Sequence, residues 1–89
     1  MDADRLAQLM TFPAPFTFRV VALGTPDLRA QCLALVEDAL GCAVAGVEVQ
    51  ASSGGRYHTV RLAVTVQCPE QIAAVYEALR AVPGLRMLL

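Results

Sequence analysis

The run Ser52-Ser53-Gly54-Gly55-Arg56 separates two segments whose apolar residues alternate, Val47, Val49 and Ala51 before it and Val60, Leu62, Val64 and Val66 after it. Alternation with a period of two marks a strand with one face buried, and a Ser/Gly cluster between two such runs is the turn of a β-hairpin. This limits what the rest of the chain can do. A lone hairpin is marginal in water, so the flanking segments must supply further strands or helices to cover its apolar face.

They supply both. Phe16, Phe18, Val20 and Ala22 alternate with Thr17, Arg19, Val21 and Leu23, which predicts a strand over 16–23 with the Phe-bearing side toward the core. Pro13 and Pro15 hold the chain extended before it and remove two amide donors, so this strand should begin just after Pro15. Thr25-Pro26-Asp27 reads as a helix start, with Thr25 as cap, Pro26 at the first helical position and Asp27 near the positive end. Leu28, Cys32, Leu35, Val36 and Ala39 recur at spacings of three and four as the buried stripe, and Gly41 stops the helix. The hairpin strands follow at about 44–51 and 57–67. The second carries Tyr57, Thr59, Arg61, Ala63 and Thr65 on its outer side. Pro69 opens a second helix with Ile72, Val75, Tyr76 and Leu79 inward, Pro83-Gly84 ends it, and 85–89 forms a short last strand. Residues 4–10 are expected to form a helical turn with Leu6, Leu9 and Met10 on one side.

The order strand, helix, strand, strand, helix, strand, with right-handed crossovers, predicts an α+β ferredoxin-like βαββαβ sandwich. Its four-stranded antiparallel sheet would have the order 4-1-3-2, with both helices on one face and the other face open. At 89 residues the chain is read as a single domain, 1–14 being an N-terminal extension and 15–89 the core. With 56% hydrophobic but only 6% aromatic residues, that core must be Val, Leu and Ala around a few rings.

Composition also excludes classes of function. Seven basic residues face eight acidic ones, so the whole chain lacks the positive excess of a nucleic-acid binder. No apolar run approaches the roughly 20 residues of a membrane helix, and Met1-Asp2-Ala3-Asp4-Arg5 lacks a signal-peptide layout, so a cytoplasmic location is expected. Cys32, Cys42 and Cys68 are odd in number and widely spaced, which fits reduced thiols.

Phe12-Pro13, Phe16, the Arg19-Val20-Val21 step, the Ser-Gly turn with Tyr57 and the terminal Arg86-Met87-Leu88-Leu89 together resemble the YbeD-like (UPF0250-type) family of small bacterial proteins, over nearly the whole chain after the first few residues. None of these markers is a catalytic signature. The resemblance implies kinship in fold with ACT regulatory domains, which often pair and bind small effectors between their sheets. The chain departs from the family at Ala22, where a glycine is expected and Gly24 follows two residues on, and at Gly54, where a lysine is also common. Both departures weaken a ligand site inferred by analogy at the first strand-to-helix loop.

The residues themselves offer one constellation. Arg19, Arg61 and Arg86 should lie on three adjacent strands of the open face, with Glu48 on the fourth. Like charges set close together repel unless an anion or a partner's carboxylates sit between them. Tyr57, Val21, Leu23 and Leu88 should add apolar area to this face, making it a surface for a protein partner or a second copy of the chain. Against this stands the plain reading of a solvated face with splayed side chains. Arg19, Arg61, Arg86 and Tyr57 are the expected binding residues.

Other chemistry finds less support. Gly55-Arg56-Tyr57 matches only the opening of an RNA-recognition signature, with Thr59 and Arg61 where further aromatics belong. Leu23-Gly24-Thr25-Pro26 has one glycine and no arginine, so it is no acylphosphatase-type phosphate cradle. His58, the only histidine, is placed inward at a strand start, and no carboxylates pair for acid-base work. No two cysteines are spaced for metal delivery. Cys32 reads as core packing, whereas Cys68, before Pro69 at the positive end of a helix, is the thiol to test for reactivity. The expectation is therefore a non-enzymatic regulatory or adaptor domain without cofactor, acting by protein binding through its open sheet face, strand edge or hairpin. The alternative is an ACT-like sensor whose dimer encloses a small anionic metabolite.

Overall fold

Four strands build one antiparallel sheet in the computed structural model, which describes residues 11–89. Strand β1 (Ala14–Leu23) pairs on one side with β3 (Tyr57–Val66) and on the other with β4 (Leu85–Leu88), while β2 (Gly46–Ala51) closes the hairpin with β3. The order β2-β3-β1-β4 is the expected 4-1-3-2 seen from the other edge. The expected helical turn within 4–10 lies outside the described residues. No helix among the described residues is long and apolar enough to cross a membrane.

Helices α1 (Leu28–Leu40) and α2 (Pro69–Leu79) cover one face of the sheet. The alternation of β1 and β3 delivers Phe18, Val20, Ala22, Val60, Leu62, Val64 and Val66 to that side, against Leu28, Cys32 and Val36 of α1 and Ile72, Val75 and Leu79 of α2. Phe18 anchors the layer: its ring lies 4.6 Å from Phe16 and meets the Tyr76 ring edge-on at 5.1 Å. Among the described residues no polar or charged residue is fully buried, so apolar packing is the main force holding this face. Burial pushes the Cys32 thiol up to about 11 and raises the Tyr76 phenol as well.

Strand β1 begins at Ala14, ahead of the start expected after Pro15, with Pro15 already opposite Thr65 in the ladder, and two further expectations are corrected. Helix α1 starts at Leu28 with Asp27 as its cap, and not at Thr25. Thr25 and Pro26 instead form a preceding turn, closed where the Leu28 N–H donates to the Thr25 carbonyl at 3.2 Å. Asp27 makes no side-chain capping bond. Gly41 does stop the helix in the left-handed conformation, φ 70°, its N–H donating to the Glu37 carbonyl at 2.8 Å.

The second correction concerns β4. Met87 faces Val21 and Leu88 faces Val20, yet Leu85 faces Ala22, so Arg86 is an extra residue in the ladder. Such a bulge reverses the in/out parity beyond it. Leu88, expected on the open face, packs against the core, and Met87 takes its place outside.

Candidate functional site

Alternation sends the other half of each strand to the open face, and register stacks these side chains into rows. Thr17, Ala63 and Gly46 are paired in line and make a floor of small residues. The next row is Arg19, Arg61 and Glu48, each directly opposite its neighbour. Together the two rows enclose a depression of about 420 Å³, Thr17, Gly46 and Ala63 below and the long side chains of Arg19, Arg61 and Glu48 around it.

The Arg19–Arg61 pairing sets two guanidinium groups on adjacent positions, a destabilising arrangement for exposed like charges. Among the described residues no carboxylate pairs with either charge. Among the described residues the one ion pair is Arg80–Glu77 at 3.7 Å, on α2 and its end, exposed and of little energetic weight. Arg61 donates to the amide oxygen of Gln50 at 3.0 Å, not to Glu48 opposite it. Arg19 is fixed through its backbone, exchanging bonds of 3.0 and 2.9 Å with Leu89, which pins β1 to the last residue of the chain while leaving the side chain without a hydrogen bond or ion pair among the described residues.

Arg86 does not join this row as expected. The bulge lifts it onto Tyr57, which lies opposite Leu23 at the hairpin end of the sheet. Its guanidinium carbon stands 4.9 Å from the Tyr57 ring centre and one of its N–H groups makes a long 3.4 Å hydrogen bond to the phenol oxygen. Arg56 approaches the same ring at 5.7 Å. Two cations thus approach one aromatic ring, each attracted by its quadrupole. Between the two arginine clusters lies the row Met87, Val21 and Thr59.

Sequence reading placed Arg19, Arg61 and Glu48 together, as the structure does. It put Arg86 in their row and did not enlist Arg56. It also took charge as a whole-chain total, whereas the fold sorts it: Arg19, Arg61, Arg86 and the hairpin Arg56 gather on the open side with Glu48, while Asp27, Glu37, Asp38, Glu70 and Glu77 belong to the helix layer with Arg29 and Arg80. The parity of Arg19 and Arg61 within their strands already signals this sorting in the sequence.

The remaining candidates fall elsewhere. His58 lies opposite buried Ala22 and its imidazole fills the space beside Gly24, where any Cβ would collide with it. The imidazole thus packs tightly against the first strand-to-helix loop at Gly24, two residues past the departure at Ala22. Cys68 is the half-buried cap of α2, Cys42 is exposed just past α1, and Cys32 is in the core. A shallower hollow of about 320 Å³ between α1 and the turn after α2, lined by Gln31, Ala34, Leu35, Ala81 and Pro83, carries no charged group.

Comparison with known proteins places this geometry in a family. Residues 7–89 match the model described as "Protein of unknown function (DUF493)". The chain is 35% identical over 86 residues to the UPF0250 protein SG0794 of Sodalis glossinidius, covering 96% of this chain and 97% of that one. This chain belongs to the UPF0250 family. The UPF0250 protein YbeD of Escherichia coli is 34% identical over 86 residues, again 96% of this chain and 97% of its own. The solution structure of protein HP0495 from H. pylori superposes with a TM-score of 0.75 over 100% of this chain and 94% of that one, at 12% identity, and so shows the same fold. The names of these relatives carry no enzymatic activity, and the YbeD-like resemblance read from Phe12-Pro13, Phe16 and the hairpin is the family found.

Proposed function

We propose that this chain is a small non-enzymatic regulatory or adaptor domain that binds an acidic segment of a protein partner on its open sheet face. The observation that carries the reading is the register pairing of Arg19 with Arg61 beside a small-residue floor, with no carboxylate in ion-pair contact with either among the described residues. A chain that sets two guanidinium groups against each other gains when carboxylates arrive between them, since charge-assisted pairs with arginine are the strong and directional ones. Such a surface gives rate and selectivity for acidic partners more than raw affinity.

Poly-glutamate titrated at low salt tests it. The backbone amides of Thr17, Arg19, Arg61 and Ala63 should shift in NMR spectra, and the Arg19→Ala/Arg61→Ala double variant should lose the effect. Unchanged binding by the double variant refutes the proposal.

The depression of about 420 Å³ favours one second reading, a dimeric sensor enclosing a small anionic metabolite. A metabolite with dissociation constant well below its concentration raises thermal stability by mass action, so a screen of dicarboxylates and phosphates separates the readings. A rise in melting temperature with one of them, lost in Arg61→Ala, selects the sensor.

A further inference from the structure

The open face holds two arginine clusters with the row of Met87, Val21 and Thr59 between them, and register sets their separation. From the Arg19–Arg61 row to the Leu23–Tyr57 row is four residues of β1, about 13 Å at the rise of a strand. Midway stand Val21 and Met87, the latter 47% exposed. Along this direction the face presents the Arg19–Arg61 pair, then Val21 and Met87, then Leu23 beside Tyr57 with Arg56 and Arg86 over its ring, so its complement is carboxylate, apolar, carboxylate at intervals of about 6–7 Å.

The form of that complement follows from what a sheet face offers. Backbone N–H and C=O groups are engaged within the ladder, so the face presents side chains only. An extended peptide laid flat on it would find no partners for its own backbone, whereas a helix arrives with its backbone already paired, and helix on sheet is the usual way to cover such a layer. Helix positions i, i+4 and i+8 fall on one stripe about 6 Å apart, which matches the rows.

We infer that the open face docks an acidic amphipathic helix of a partner protein, with carboxylates at i and i+8 seated at Arg19/Arg61 and at Arg56/Arg86, and a large apolar side chain at i+4 on Val21 and Met87. The inference rests on the reading that Arg19 and Arg61 receive an acidic protein segment. It adds the Tyr57 cluster as the second anchor and the helix as the form.

Two fluorescent peptides of identical composition, each about 20 residues so that a helix persists, decide it by anisotropy. One carries Glu, Leu and Glu at i, i+4 and i+8, and the other has its second Glu moved to i+6 on the opposite side. The matched peptide should bind about tenfold more tightly. Arg86→Ala, whose exposed position leaves folding intact by melting temperature, should erase that preference, and Arg19→Ala should weaken both peptides. Equal affinities that Arg19→Ala still reduces overturn this inference and leave the proposed function standing, whereas no binding of either peptide removes both. A matched peptide broken by a central proline that binds as tightly overturns the helical form. Tighter binding of a single-stranded oligonucleotide, or self-association of the chain lost in Arg19→Ala, overturns the protein-helix partner in favour of nucleic acid or a second copy.

Discussion

On the helix-covered side of β1, Phe18, Val20 and Ala22 are fully buried among apolar neighbours, and on the reverse of the same strand Arg19 and Leu23 meet solvent, with Val21 half-buried between them. The two faces are drawn from alternate residues of the same backbone, yet one is assembled to exclude water and the other holds charge in it that no carboxylate among the described residues pairs. Burial dictates the first face at every position, because a polar group there would lose its solvation without gaining a partner. The second is under no such demand. Stability leaves its residues free, and a guanidinium pair with a small-residue floor is therefore informative in a way that another buried valine is not.

The largest effect should come from the covered face. Phe18→Ala removes the ring that joins Phe16 to Tyr76, and should cost about 3–5 kcal/mol in urea unfolding. A loss under about 1 kcal/mol would break the contrast between the faces.

Alkali probes the same core differently. The Cys32 thiol titrates at about 11 when folded and near 9.0 when unfolded, so between those values the unfolded chain gives up the proton first. The contribution is whole below pH 9 and is lost as pH rises toward 11, with Tyr76 shifting in the same direction. The loss should be on the order of 2–3 kcal/mol. Melting curves across this interval should be visibly flatter in Cys32→Ala. Parallel curves would remove the thiol from the account.

A smaller loss belongs to the seam between the faces. Gly84 has φ 70°, and an added Cβ would come within 2.9 Å of the Leu23 side chain at the end where β1 meets β4. Gly84→Ala should therefore cost about 1–2 kcal/mol. Wild-type stability in that variant would show that the turn relaxes freely.

The smallest expected effect lies on the open face and has the opposite sign. Arg19→Thr relieves the repulsion with Arg61 and should leave stability unchanged or raise it by about 0.5 kcal/mol, less at high salt. Marked destabilisation would show that Arg19 is there for the fold, and the binding proposal would lose its footing.

Strand parity was readable because burial imposes a period of two wherever a strand is covered on one side. It gave the buried faces of β1 and β3 and the positions of Arg19 and Arg61, while spacings of three and four gave the stripes of α1 and α2. The β4 bulge was not readable in the same way. Leu85-Arg86-Met87-Leu88 fits two strict parities equally well, and the strand follows neither, because pairing with Val20, Val21 and Ala22 across a bulge turns both Leu85 and Leu88 inward. The true start of α1 was hidden because Thr25 and Asp27 are both good caps, and the turn closed by Leu28 decides between them.

By itself, then, the sequence determined which residues are withdrawn from water, since hydrophobic periodicity is a local property that each segment carries with it. Which arginines meet was decided only by tertiary structure. Side-chain neighbours across strands depend on register, and the register of the last strand sets Leu89 beside Arg19 and, through an extra residue at Arg86, places that cation on the ring of Tyr57.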